Sequence, residues 1–442
     1  MKNVKNWGNT PTIQSNLIPF HSVEQLREIM LNTTSTIPRG MGRSYGDSGL
    51  NNTIISTTDF NQIKECDMTT GQIVCESGVT FAAIIKRVLP LGWFLPVTPG
   101  TKFVSIGGAI SANVHGKNHH VHGSLSNHII YIDVMQTDGQ VIRATKTENS
   151  DLFFNTCGGM GLTGIITDVC LQLIPVETAY IRQKTIRAKN LTEIMDYFET
   201  YNDWTYSVAW IDCLAKGDNL GRSVLMLGEH AVISELQKKK RRVPLKIKAK
   251  RKKSIPFFFP NWALNNWSIR LFNFFYYFFN SEKTSIIDYD TFFYPLDGIN
   301  NWNKMYGNRG FTQYQCVFPL KTSRDGLTEL LSKISARGLG SFLAVLKRFG
   351  NETLPGLTFP MEGYTLALDF PMNDATLDLM NELDDIVKKF GGRLYLAKDS
   401  RMSASLFQST YTNFKDFQPF KKYIDSKNHL SSLQSKRLKM HD

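Results

Sequence analysis

Residues 99–118 read PGTKFVSIGGAISANVHGKN, a tract in which Gly100, Gly107, Gly108 and Gly116 are set among small and β-branched residues. Glycine lets a backbone take positive φ and approach a ligand without a Cβ in the way. Upstream, residues 38–52 read PRGMGRSYGDSGLNN, with Gly40, Gly42, Gly46 and Gly49 inside ten residues. Alone, this first loop is an ordinary glycine-rich turn. Its spacing is not GxGxxG after a strand, which argues against a Rossmann nicotinamide site. Taken together, two glycine loops flanking a strand–helix unit suit a long diphosphate cofactor, held at its pyrophosphate and along its ring. A third cluster, CGGMGLTGII at 157–166, adds another close backbone approach.

Around these loops the punctuation predicts a mixed α+β chain. Ser22-Val23-Glu24-Gln25 is a capping box for a helix to Leu31. Residues 72–79 form a strand, Thr80 caps the helix FAAIIKRVL, and Pro90 stops it. Residues 129–144 form a hairpin turned at Asp138-Gly139. Ser150 caps a short helix ending at Gly158-Gly159, and 166–176 alternates as a strand. Past Thr178 the glycine clusters vanish, and strands alternate with amphipathic helices. The clearest spans 375–390, stopped by Gly391-Gly392. The expected organisation is a first domain over 1–177, a substrate or cap domain over 178–393, and a segment 394–442 rejoining the first domain.

The chain has 442 residues, 42% hydrophobic, with 51 Lys+Arg against 39 Asp+Glu, for a net charge of +12. A disordered chain is excluded. Most of the excess sits in KKKRRVPLKIKAKRKK at 238–253, which holds 11 basic residues and no acidic one. The remainder is nearly neutral, which argues against a nucleic-acid-binding body. Twelve aromatics follow between Phe257 and Phe279. Cations beside aromatics in this insert, 236–280, match an interfacial membrane segment. A basic loop ranks second and stacking on RNA third. Six scattered cysteines lack metal-ligand spacing and read as buried thiols. The N-terminus lacks a signal-peptide core, and no apolar run reaches the ~20 residues of a membrane span. The expectation is a cytoplasmic protein, attached peripherally to an anionic membrane surface.

PRGMGRSYGD, PGTKFVSIGGAISANVHGKNHH, GGMGLTGII and LYLAKDSR, in that order, resemble the vanillyl-alcohol-oxidase/p-cresol-methylhydroxylase (PCMH) superfamily of FAD enzymes, and within it a branch acting on a polyprenyl-phosphate sugar. The likeness runs from about Ile18 to Leu438 and includes SVAWIDC, YPLD, GFTQYQCVFP, FLAVLKRFG and ALDFP. It implies a two-domain α+β fold: a PCMH-type FAD-binding domain and an antiparallel-sheet substrate domain. It also implies that FAD is wrapped by Pro38, Arg39, Gly40, Met41, Gly42, Arg43, Ser44, Tyr45, Gly46, Asp47 and Ser48. Gly100, Ser105, Ile106, Gly107 and Gly108 continue the cradle. Ala112, Asn113, Val114 and His115 approach the ring, and Ile166 and Tyr395 complete the pocket. Where several relatives carry a histidine bonded covalently to the flavin, this chain has Arg43, so non-covalent FAD is expected.

The same resemblance makes Lys398 and His115 the candidate catalytic pair. A cation beside the reduced ring stabilises negative charge, and burial lowers a lysine's pKa enough for base chemistry. Imidazole can accept a hydroxyl proton. Which of the two is the base stays open. Tyr45, Lys117, Trp210, Gln313, Gln315, Lys347, Thr365 and Ala367 align with substrate-pocket positions, as does Asp369. Either Gln315 or Cys316 faces inward. His119, His120 and His122 lack an acidic partner at ligand spacing, so no metal is expected. The family's pocket cysteine is Ala367 here, a pocket tyrosine is Phe293 with Tyr294 beside it, and a pocket asparagine is Thr365. The implied activity is FAD-dependent oxidation of a lipid-linked sugar, the 2′-hydroxyl of a polyprenyl-phosphate ribose, to a keto sugar in cell-envelope polysaccharide synthesis. A short-chain NAD(P)H-dependent keto-reductase would complete an epimerisation. Two rivals are a soluble alditol or aldonolactone oxidase using oxygen, and a membrane- or nucleic-acid-binding protein with an inactive flavin site.

Overall fold

The computed structural model describes the whole chain except residues 248–252, 260–265, 342, 353 and 442. Parts of the basic run and of the aromatic tract therefore lie outside the described residues.

Two sheets carry the glycine loops. The first has four strands in the order Lys2–Lys5, Thr12–Pro19, Thr53–Ser56, Ile37–Arg39. Its last strand delivers the chain into the first loop. The second is antiparallel, in the order Ile63–Asp67, Gln72–Glu76, Ile165–Gln172, Ile129–Met135, Val141–Ala144. The helix Val23–Leu31 starts where its capping box predicts, with Ser22 accepting from the Gln25 amide. Phe81–Val88 likewise follows Thr80, which accepts from the Ala83 amide.

Three local expectations shift. Asn149 caps the helix Ser150–Thr156 instead of Ser150, taking the left-handed conformation there. The strand expected over 72–79 ends at Glu76, where Ser77 turns its amide to the Thr167 carbonyl. The strand expected over 166–176 stops at Gln172 and resumes only for Ile174–Pro175, which pairs with Trp93–Phe94.

An eight-stranded antiparallel sheet forms the second layer. Its order is Lys283–Asp288, Tyr180–Ala188, Ser223–His230, Tyr206–Ile211, Ala344–Phe349, Gly363–Pro371, Phe311–Pro319, Arg393–Leu394. Period-2 alternation splits its side chains. Ala209, Ile211, Tyr314, Cys316, Leu366 and Leu368 face a core shared with the helices Leu191–Thr200, Ser323–Arg337 and Asp374–Lys389. Val208, Trp210, Gln313, Gln315, Val345 and Lys347 face the opposite way, into a cavity. This settles the inward question on that strand: Gln315 turns to the cavity and Cys316 to the core.

The C-terminal segment packs back on the first sheets. Thr36 and Leu430 form a bridge, Asn51 donates to the Ser431 carbonyl at 2.8 Å, and Leu433 donates to Leu50 at 2.8 Å. Five of the six cysteines are buried, and none is disulfide-bonded.

Candidate active site

A cavity of about 960 Å³ lies between the glycine loops and the open face of the large sheet. That is near the upper end for ligand pockets. Of the residues expected at the cofactor, Pro38 through Tyr45, Ser48, Gly100, Ser105, Gly107, Gly108, Ala112, Val114, His115, Ile166 and Tyr395 line it. Lys398, Tyr45, Lys117, Trp210, Gln313, Gln315, Lys347 and Ala367 line the same space.

Six expected contacts lie behind its wall, among them Asp369, which is buried beneath Gln313. Ile106 is fully buried in the core of the antiparallel sheet, because the helix turns it away from Gly107. The Asn113 side-chain Oδ1 accepts from the Ser126 backbone amide and braces the loop. Thr365 donates to the Cys316 carbonyl and accepts from Gln315, supporting that side chain from beneath. Asp47 turns to Arg437 at 2.8 Å. Gly46 packs on the Lys398 loop: a Cβ there would sit 2.1 Å from the Asp399 carbonyl oxygen and 2.6 Å from the Ser400 Cα. Tyr294 also turns away, hydrogen-bonding Thr98, and does not replace the pocket tyrosine lost at Phe293.

Gly46 thus sets the distance between the first loop and the Lys398 segment, reinforced by the Tyr45 amide donating to Ala397 at 3.0 Å. G46A should cost about 1–3 kcal/mol of stability through overpacking. A thermal midpoint equal to wild type would contradict this contact.

The lining suits a diphosphate cofactor. The hydroxyls of Ser48, Ser77 and Ser105 and the Nε of Arg39 are buried without protein partners, and all four residues line the cavity. Such groups cost free energy unless a ligand satisfies them. Gly100 has open space where a Cβ would stand, whereas one on Gly40 would meet the Ser105 Oγ at 2.0 Å. Asn6, Trp7, Thr57 and Ser77 also line this end and escaped the sequence reading. Trp7 carries the Arg43 guanidinium 4.3 Å from its ring centroid. Their local sequence holds no motif; they sit just past the ends of the strands Lys2–Lys5, Thr53–Ser56 and Gln72–Glu76, and only packing brings them in.

At the sheet end, His115 places Nε2 3.0 Å from the Gln315 amide nitrogen, while Nδ1 has no protein partner. Burial, then Lys347, His119 and Lys398, push its pKa well below the usual imidazole range, so the ring is neutral at pH 7. The Lys398 ammonium stands 4.0 Å above the Tyr45 ring. Burial lowers its pKa, while the nearby Asp369 opposes that shift. Burial raises the carboxyl of Asp369, which accepts from Gln313 at 2.5 Å. Burial and then Lys398 lower Lys347 to about 7, and burial and then Lys347 lower Lys117 to about 7. Lys117 donates to the Phe292 carbonyl and lies 4.4 Å from the Phe292 ring centroid. Among the described residues, no group of three His, Cys, Asp or Glu side chains is placed to hold a metal ion. His119 instead faces Glu352 at 3.5 Å, and His120 contacts the Trp204 carbonyl.

A flavin-sized cradle meeting a wall of cations and amides defines a class, and comparison with known proteins agrees. The FAD binding domain family model matches residues 18–145. Decaprenylphosphoryl-beta-D-ribose oxidase of Mycolicibacterium smegmatis is 33% identical over 99% of this chain and 98% of its own. An uncharacterized protein of Streptomyces coelicolor is 30% identical over 81% of this chain and all of its own. L-gulonolactone oxidase of Scyliorhinus torazame is 24% identical over 45% of each chain. The chain belongs to the FAD-binding oxidoreductases of the vanillyl-alcohol-oxidase/p-cresol-methylhydroxylase superfamily. More narrowly, it is an FAD-dependent oxidoreductase of CH–OH groups in the family of the M. smegmatis enzyme, and its FAD is non-covalent.

Proposed function

We propose that the chain oxidises a secondary hydroxyl of a lipid-linked sugar, the 2′-hydroxyl of a polyprenyl-phosphate ribose, to a ketone. Oxidation of a hydroxyl follows from family membership. The carrying observation for the substrate is the pair Lys117 and Lys347, which bring two ammonium groups to a cavity wall that also presents Gln313, Gln315 and Trp210. Bound FAD supplies the acceptor for the C–H electron pair. The protein's own groups do the rest. Gln313 and Gln315 orient sugar hydroxyls, and Lys347, whose ammonium has no hydrogen bond among the described residues, meets the phosphate. His115, neutral and open at Nδ1, or Lys398 takes the hydroxyl proton. A cation at Lys398 stabilises the negative charge that develops in the cavity. The ketone would be passed to a short-chain NAD(P)H-dependent keto-reductase for epimerisation. The insert 236–280 would hold the enzyme peripherally on an anionic, cytoplasmic membrane face.

The test is anaerobic bleaching of the purified flavoprotein by polyprenyl-phosphate ribose. It should bleach, and KM should rise from pH 7 to 9 as Lys117 and Lys347 lose their protons and with them their hold on phosphate. Bleaching by free alditols or aldonolactones instead, with peroxide formed in air, would establish the soluble-oxidase alternative.

A further inference from the structure

The helix Asn266–Phe279 has two faces of different character. Ile269, Asn273, Tyr276 and Asn280 recur at intervals of four, three and four, which places them on one stripe. This stripe faces the protein. Ile269 and Asn273 are buried, the Asn273 amide donates to Asp212 at 2.6 Å, and Tyr276 lies 4.6 Å from the Trp210 ring. Asp212 in turn pairs with Arg222 at 2.7 Å, so the stripe is anchored by charge as well as by rings. Tyr276 and Asn280 line the cavity. The cavity runs beneath the helix along the sheet face, past Met226, Ser285 and Ile287.

The opposite face carries Leu271, Phe274, Phe275, Phe278 and Phe279, all exposed, Phe279 at 77%. Phe257 and Phe258 are exposed nearby in sequence. A contiguous set of large exposed rings marks an interaction surface. Its chemistry selects the partner. From Leu236 to Asn280 the sequence holds no acidic residue, and the segment before the helix holds eleven cations. Fourteen residues of helix span about 21 Å, short of the ~30 Å hydrocarbon core. No helix among the described residues is long and apolar enough to cross a membrane. An aromatic face beside dense positive charge fits the headgroup region of an anionic bilayer, with the helix lying in the interface plane.

We propose that this helix is a two-faced conduit: its outer rings seat in an anionic bilayer while its inner stripe walls the cavity, so that a lipid tail passes beneath it from membrane to active site. The conduit rests on the lipid-linked reading of the substrate; the docking does not. Docking through Phe274, Phe275, Phe278 and Phe279 would bring the stretch of cavity lined by Tyr276 and Asn280 to the leaflet side, so the tail need not cross bulk water.

The experiment compares the full-length flavoprotein with F274S/F275S/F278S, substitutions confined to exposed positions. Flotation uses phosphatidylglycerol–phosphatidylcholine vesicles and phosphatidylcholine-only vesicles. Turnover is measured with a long-chain polyprenyl-phosphate ribose in the anionic vesicles and with a short-chain analogue in solution. Wild type should float with anionic vesicles only, and salt should release it. The triple variant should lose flotation and at least tenfold of its vesicle turnover, while keeping wild-type FAD content and short-chain turnover. Equal flotation of the two proteins, equal binding to both vesicle types, or retention on single-stranded RNA without flotation would each overturn the docking. Lost flotation with unchanged vesicle turnover would overturn the conduit. If wild type turns over neither substrate, the functional reading fails while flotation still decides the docking.

Discussion

K398M should purify yellow, with wild-type FAD content, and lose about 10²–10³-fold in the rate at which substrate bleaches the flavin. The expectation rests on where the ammonium is held. It stands over the Tyr45 ring, which itself lines the cavity, and no other protein group hydrogen-bonds it among the described residues. Cofactor retention follows because the unpaired Ser48, Ser77 and Ser105 hydroxyls belong to other segments. K398R separates the two roles open to this residue. Guanidinium keeps the charge but cannot release its proton in the working pH range. A purely cationic role predicts that K398R recovers at least tenfold over K398M. A K398R as inactive as K398M, in an enzyme whose wild-type rate rises with pH, would make Lys398 the base. A K398M with the wild-type bleaching rate would remove it from the chemistry. Stopped-flow absorbance gives all three readings.

The glycine-loop end of the cavity was legible because its physics is local. A loop that meets a diphosphate needs missing side chains and short hydroxyls, and both are visible in PRGMGRSYGDS and TKFVSIGGA. The same signal misplaced Gly46. A glycine that admits a phosphate and a glycine that admits another backbone look alike in one dimension, and Gly46 is of the second kind, pressed on Asp399. Ile106 sits between two lining positions, but a helix turn separates it from the cavity. The sheet end depended on parity. Gln313, Gln315 and Lys347 face inward because their strands alternate, and that alternation has no sign until the helices cover one face. Thr365 shares the inward parity yet lies under Gln315.

The aromatic helix failed to show its faces for a different reason. Nearly every position from Leu271 to Phe279 is large and apolar, which drowns the 3.6-residue period. Its register is marked instead by two asparagines seven apart, Asn273 and Asn280. Trp7 and Asn6 were equally hidden, being recruited by tertiary packing alone.

R437A should be the most destabilising single substitution among these residues, costing about 3–5 kcal/mol and lowering flavin occupancy. Arg437 lies on the last helix, Leu433–Arg437, and reaches across the chain. Its guanidinium donates to both oxygens of Asp47, each at 2.8 Å, and to Asp399 at 2.7 Å. The two carboxylates are nearly sealed, with side-chain exposures of 8% and 2%. Removing the cation leaves two buried negative charges facing each other across the space it filled, which is costly wherever water does not enter that space. The position magnifies the effect. Asp47 lies in the first glycine loop, next to the cavity-lining Ser48, and Asp399 follows Lys398 directly, so one side chain ties the tail, that loop and the catalytic candidate together. R437K tests the geometry, since a single ammonium cannot reproduce the forked contact with Asp47 while also reaching Asp399. It should recover less than half of the lost stability. Chemical denaturation of the holoenzyme, followed by flavin fluorescence and far-UV circular dichroism, measures both variants. An R437A unfolding within about 1 kcal/mol of wild type would mean that the carboxylates find water or protons instead, and that the clamp does not hold the site together.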